Sequence, residues 1–212
     1  MNEDEAHDYQ APVVTVEIRA PIAVVRINHP AERNALSVST LEELNAIVSA
    51  LIPRADVRSI IFTGTNDVFA SGANIRELSM LTPATAREFA RRGQLLFQKI
   101  ADASQLTIAA VNGHCMGGGL DLALACNYRC AAPDAVFAHP GARLGVITGW
   151  GGTQRLPRLI GEAHAIEMFA TAKRLTSSEA YEIGLIDRIC DDVLTCSYEI
   201  ARERAVNSKH LK

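Results

Sequence analysis

The chain has 212 residues, enough for one sizeable domain with at most a small appendage. Its 48% apolar and 21% charged content is that of a folded globular protein, not a disordered one. A net charge of -3 with no dense Lys/Arg stripe gives nucleic acid nothing to grip, and apolar runs such as residues 108–111 are far too short to cross a bilayer. The acidic opening residues 1–5 lack the basic and apolar regions of an export signal, so a cytoplasmic location is expected. Cys115, Cys126, Cys130, Cys190 and Cys196 form an odd set without a CxxC pair and read as reduced thiols. No Cys/His cluster has metal-ligand spacing, so no metal is expected.

Residues 1–11 read as an acidic tail. Val14, Val16 and Ile18 alternate with polar residues, and after the Ala20-Pro21 turn Ile22 to Ile27 reads as a second strand of a hairpin. Ser39-Thr40-Leu41-Glu42 has the form of a capping box and opens a helix with Leu41, Leu44, Ile47, Val48 and Leu51 on one face, closed by Pro53. Ser59 to Thr63 is strand-like. Thr82-Pro83 begins a helix through Phe89, Leu96, Phe97 and Ile100, and Thr107 to Val111 is strand-like again. Such alternation predicts an α/β layered fold. Beyond residue 150 the pattern becomes mainly helical, with a short apolar piece at 184–190.

Two glycine-rich loops follow predicted strands: Phe69-Ala-Ser-Gly-Ala-Asn-Ile-Arg76 and Val111-Asn-Gly-His-Cys-Met-Gly-Gly-Gly-Leu-Asp-Leu122. Small residues let a ligand approach the backbone, and a helix beginning near Gly118 would aim its positive end at developing negative charge. Turn-making alone would also explain the glycines. A dinucleotide fingerprint is excluded by Leu122 and, in Gly149–Gln154, by Gln154; no P-loop lysine follows either cluster.

Ala110–Cys126 (AVNGHCMGGGLDLALAC) resembles the signature of the crotonase (enoyl-CoA hydratase/isomerase) superfamily. Glu32–Ser37, Ala70–Glu77, Gly149–Arg158 and the pair Leu175–Ala180 and Gly184–Ile186 match it in the same order, so the resemblance spans roughly residues 13–190. It implies a spiral of ββα units, binding of acyl-CoA thioesters, and assembly as a trimer or a dimer of trimers. It implies domain limits of 12–190 for the acyl-CoA-binding core and 191–212 for a partial C-terminal helical segment, shorter than in relatives, with Leu194 to Asn207 as its first helix. It also implies an oxyanion hole from the backbone N–H groups of Ala73 and Gly118, with Ala73, Asn74, Ile75 and Arg76 on the CoA side. CoA arrives as part of the substrate; no separate cofactor is implied.

Hydratases of the superfamily carry two glutamates beside the substrate. Their positions are held here by Asp121 and Gly141, and the Gly149 position, acidic in some isomerase-like members, is empty too. Hydration needs a base for water and an acid for Cα, each contributing about a hundredfold to ten-thousandfold. With Asp121 as the sole carboxylate, a slow enoyl-CoA hydratase-like lyase of lipid metabolism is expected. Alternatives are another reaction through the same enolate (thioester hydrolysis, decarboxylation or isomerisation) or a catalytically weak acyl-CoA-binding protein. Asp121 also has a plain reading, as an acidic residue favoured in a helix's first turn. His139, two residues before Gly141, is a possible pocket residue with a pKa suited to proton transfer; a structural hydrogen-bonding role is its alternative, and the same holds for His114. Trp150 either fills volume near that of the missing glutamate and narrows the acyl site, or belongs to the core.

Overall fold

The computed structural model describes residues 12–207, so the expected acidic tail lies outside the described residues. The main sheet has six strands. β1 (Val14–Arg19) and β2 (Ile22–Ile27) form the antiparallel hairpin, with Val14 opposite Ile27. β4 (Ser59–Thr63), β7 (Leu106–Val111), β9 (Tyr128–Ala131) and β12 (Arg188–Ile189) then extend it in parallel, in the order β1-β2-β4-β7-β9-β12. β1 is an edge strand: Val14 is buried, but Val16 and Ile18 are more than a third exposed, so the expected half-buried face is realised only at its start.

A second sheet is built from three-residue strands, β5 (Val68–Ala70), β8 (His114–Met116), β10 (Val136–Ala138) and β11 (Arg174–Thr176), in the order β11-β10-β8-β5. A two-residue pair, β3 (Ala35–Leu36) with β6 (Gly72–Ala73), completes the strands. The helices are α1 (Val38–Leu51), α2 (Ile75–Ser79), α3 (Pro83–Ala101), α4 (Gly118–Ala125), α5 (Gly152–Ile160), α6 (Glu162–Thr171), α7 (Ser177–Glu182) and α8 (Val193–Asn207). None is long and apolar enough to cross a membrane.

The strands at the centre of the main sheet are apolar on both faces, as parallel strands covered on two sides must be. Ala23, Val25, Ile60, Phe62, Ala109 and Val111 face the larger core with α1, α3 and α4. Their neighbours Ile22, Val24, Ile61, Ile108 and Ala110 face the opposite layer, where Val193, Cys196, Ile200 and Ala201 of α8 cover them. The C-terminal helix is therefore the second layer of the fold, packed on the sheet it follows.

Three details differ from the sequence reading. α1 is capped by Ser37, whose extended backbone lets its Oγ accept the Thr40 N–H at 3.1 Å. Ser39 already lies inside the helix, and Glu42 accepts from Arg92 at 2.6 Å instead of capping. Cys190 and Cys196 are joined in a disulfide, so only Cys115, Cys126 and Cys130, all buried, match the expectation of free thiols. The apolar piece at 184–190 contributes only the short β12.

The C-terminal half is tied to the sheet through Arg129. Its buried guanidinium donates to the carbonyls of Leu185 and Cys126 at 2.9 and 2.8 Å and to the Asp187 carboxylate at 3.1 Å, while its backbone N–H donates to the same oxygen at 2.8 Å. Asp187→Ala leaves a buried cation with two carbonyl acceptors but no counter-charge, and leaves one amide unpaired, so urea unfolding should show a loss of roughly 2–3 kcal/mol. Unchanged unfolding would mean the ion pair contributes nothing net.

Candidate functional site

Two asparagine networks, one buried around Asn34 and one half-buried around Asn112, set the path of the chain toward Ala73. Asn34, fully buried, donates to the Val68 carbonyl at 2.7 Å and accepts from the His29 N–H at 2.9 Å. Asn112 accepts from the Gly64 N–H and donates to the Asn66 carbonyl, both at 2.9 Å. These amides stand in for backbone partners that the loop between β4 and β5 lacks.

β5 then leads into Gly72, which has φ +98°; a Cβ there would lie 2.9 Å from the Met116 carbonyl oxygen and 3.2 Å from the Gly118 nitrogen. The Gly72–Ala73 segment thus rests directly against Gly117–Gly118, an approach only glycine permits. Gly118 is the first residue of α4, where the backbone N–H has no intrahelical partner. Ala73 and Gly118 both line one cavity of about 300 Å³. Its wall is mainly apolar, from Leu78, Leu81, Phe89, Ile147 and Trp150, with polar side chains from Ser71, His139 and Thr148.

Asp121 lies one turn into α4 and is fully buried, one layer behind that wall. Its Oδ2 accepts from the Thr148 hydroxyl and from the Trp150 N–H, the latter at 3.3 Å. Among the described residues its Oδ1 has no hydrogen-bond partner; His139 Nε2 stands 3.6 Å away, beyond hydrogen-bond range. Burial raises the carboxyl to about 7, opposed by the bonds from Thr148 and Trp150, the Arg155 charge and the nearby Gly152 N–H. A carboxyl at this value is divided between acid and base near neutral pH, the condition for proton transfer in either direction. Sequence reasoning placed Asp121 here but missed Thr148, because a lone threonine in a loop gives no sequence signal of a partner 27 residues away.

His139 does line the cavity, but both ring nitrogens are buried and, among the described residues, without hydrogen-bond partners, and the ring packs on Phe169 at 5.0 Å. Burial lowers it to about 4, so it is neutral at physiological pH. His114 is part-exposed, 3.9 Å from Asp67, and is not on the cavity wall.

Gly141 is on the wall, yet a Cβ there would overlap the Val146 carbonyl oxygen; the turn over 140–146 folds back on this residue, with the Val146 N–H donating to Gly141 O at 3.0 Å. The position is filled by backbone, so Trp150 does not occupy it. The indole instead packs on Phe89 and Phe97, at ring-centroid distances of 5.2 and 5.8 Å, and donates to the Phe89 carbonyl. It lies against Gly118 and Gly93, where a Cβ on either would overlap the ring. Trp150 is thus both core and cavity wall, with its ring beside Gly118 rather than Gly141.

Ala73 also borders a second, shallower cavity of about 430 Å³ on the outer side of the loop, lined by Asn74, Ile75 and Arg76 together with Arg33. Asn74 caps α2, accepting from the Arg76 N–H at 2.9 Å; Ile75 and Arg76 are exposed. Arg33, also exposed, was not singled out from the sequence.

Residues 17–211 match the family described as enoyl-CoA hydratase/isomerase. The chain is 40% identical over 177 residues to the crotonyl-CoA hydratase of Syntrophomonas wolfei, covering 83% of this chain and 68% of that protein. It is 34% identical over 198 residues to the short-chain-enoyl-CoA hydratase of Clostridium acetobutylicum, covering 92% and 76%. Among solved structures, an enoyl-CoA hydratase from Bacillus anthracis superposes with a TM-score of 0.87 at 32% identity, covering 92% of this chain and 77% of that one.

Proposed function

The chain belongs to the enoyl-CoA hydratase/isomerase family, and from that premise we propose that it is an enoyl-CoA hydratase-like lyase adding water to an acyl-CoA enoyl thioester. The observation that carries the reading is the meeting of Ala73 and Gly118 on one apolar cavity with the Asp121 carboxyl directly behind it. The amides of Ala73 and Gly118 hold the thioester oxygen as water oxygen bonds to Cβ and the double-bond pair moves onto that oxygen as an enolate. Fixed dipoles in a water-poor cavity stabilise that charge more than the neutral thioester. Asp121 takes the proton lost by water and returns one to Cα, so one carboxyl serves both steps and the reaction is slow.

Arg76, with Arg33 beside the outer cavity and 3.5 Å from Asp67, would meet the CoA phosphates in this reading. CoA enters only as part of the substrate. The same reading takes the protein to be cytoplasmic and to assemble as a trimer or a dimer of trimers; exposed Ile147, Leu159 and Ile166 give such an assembly apolar surface to bury.

The test is incubation with crotonyl-CoA, following loss of the conjugated thioester and the mass of the product. Gain of one water supports the lyase; tight binding without turnover would make the protein an acyl-CoA-binding module, and a different product mass would identify another enolate reaction. Gly141→Glu should not accelerate hydration, because the side chain must displace the 140–146 turn before it reaches the cavity. A rate gain in this variant would show that the position merely lacks its carboxylate.

A further inference from the structure

Asp121 has no surface on the cavity, so a group on the wall must carry protons between it and the substrate. Among the described residues, the hydroxyl- and imidazole-bearing residues lining that wall are Ser71, His139 and Thr148, and the Trp150 N–H is taken by the Phe89 carbonyl. Thr148 alone among them is hydrogen-bonded to the Asp121 carboxylate, donating its hydroxyl to Oδ2 while lining the cavity. The His139 nitrogens are buried, unpartnered and 3.6 Å from Oδ1 at the nearest. Among the described residues, the polar partners of the Asp121 carboxylate are Thr148, Trp150 and the more distant His139, with no hydrogen bond from Ser71.

We propose that the Thr148 hydroxyl is the catalytic relay that touches the attacking water and connects it to buried Asp121. This rests on the hydratase reading above. As water oxygen bonds to Cβ, a water proton passes to Thr148 Oγ1 while the proton already on Oγ1 passes to Asp121 Oδ2. The enolate at the thioester oxygen then reforms the carbonyl as Cα takes a proton from Oγ1, and Asp121 returns its proton to Oγ1. The hydroxyl and the carboxylate end as they began, and the net change is one water added. A threonine suits the task because its hydroxyl both donates and accepts, and its β-branch limits the rotamers available.

Thr148 also sets the carboxyl's affinity for its proton. The other groups facing Asp121 are His139 from the turn after β10, Cys115 of β8 and Arg155 of α5. The Thr148 bond favours the charged carboxylate, so its removal moves the titration upward.

The experiment compares Thr148→Val, which keeps the shape and removes the hydroxyl, with Thr148→Ser, which keeps the hydroxyl. Each is measured for crotonyl-CoA hydration across pH and for binding of unreactive butyryl-CoA. Thr148→Val is expected to lose kcat by about a hundredfold, to show a rate inflection above that of the wild type, and to bind butyryl-CoA as the wild type does. Thr148→Ser should recover most of the rate. Equal rates for Thr148→Val and wild type would overturn the proposal, as would a Thr148→Ser variant no better than Thr148→Val. A parallel His139→Gln variant that loses activity while Thr148→Val keeps it would assign the relay to His139 instead. If wild type hydrates and Asp121→Asn does not, but Thr148→Val is unaffected, the relay fails and the hydratase reading stands. If wild type itself does not turn over crotonyl-CoA, that reading fails first.

Discussion

Asp121→Asn should lower kcat for crotonyl-CoA hydration by about a hundredfold to ten-thousandfold, the contribution of a positioned acid/base group. The amide keeps the volume and still accepts from Thr148 and Trp150, so binding of butyryl-CoA should persist. Since Asp121 titrates at about 7, wild-type rate should climb as pH rises through that value, as the base form appears. Residual turnover in the variant should lack the inflection.

The same substitution has a signature in stability. Folded Asp121 holds its proton to about pH 7, whereas in the unfolded chain it gives it up near its ordinary value of 3.8. The native state therefore binds the extra proton between these values, and the stability it contributes is lost as pH rises from about 4 to about 7. His139 acts oppositely: lowered from 6.5 to about 4, it is protonated first in the unfolded chain, so stability returns as pH rises through that window. Asp121→Asn removes the first slope and leaves the second. Relative to wild type, the variant should gain roughly 3 kcal/mol between pH 4 and pH 7, at about 1.4 kcal/mol per pKa unit. Parallel unfolding curves at the two pH values would show that Asp121 is not held protonated by its burial.

Gly118→Ala should be nearly as damaging to turnover. Its Cβ overlaps the Trp150 indole, so either the ring or the start of α4 must move, and with the latter the amide assigned to the thioester oxygen. Loss of one such donor costs on the order of a hundredfold to a thousandfold in kcat. Gly93→Ala is the control, because its Cβ overlaps the same indole from α3 without touching the amide. Expected is a far larger kcat loss for Gly118→Ala than for Gly93→Ala. Equal losses would mean that displacement of Trp150, and not of the amide, is responsible.

The long elements were legible because their apolar spacing is extended. Leu41, Leu44 and Val48 mark α1, and the apolar run at 59–63 marks β4, whose residues are buried on both faces. The second sheet was not foreseen, since strands of three residues such as 136–138 are too short to show a period of two. Ser37 escapes a pattern search because Ser39 and Glu42 match the capping box by type, whereas the cap is defined by the extended backbone at Ser37 and its bond from the Thr40 N–H. At the site, the glycine clusters disclosed where backbone comes close, and the motif spacing located Asp121. What one residue type at one position could not disclose was depth: Asp121 sits behind Thr148, and Gly141 is closed over by Val146. Both follow from how the 140–150 segment folds across α4, a long-range fact with no local pattern.

Catalysis in this enzyme depends, on the reading above, on a thioester oxygen held between two backbone amides. A crystal structure of the protein with butyryl-CoA, which cannot be hydrated, reads this directly. The thioester oxygen is expected about 2.7–3.1 Å from the nitrogens of both Ala73 and Gly118, with the acyl chain running toward Trp150 and the nucleotide end past Arg76. An acyl group bound elsewhere, or a thioester oxygen turned away from either amide, would contradict it.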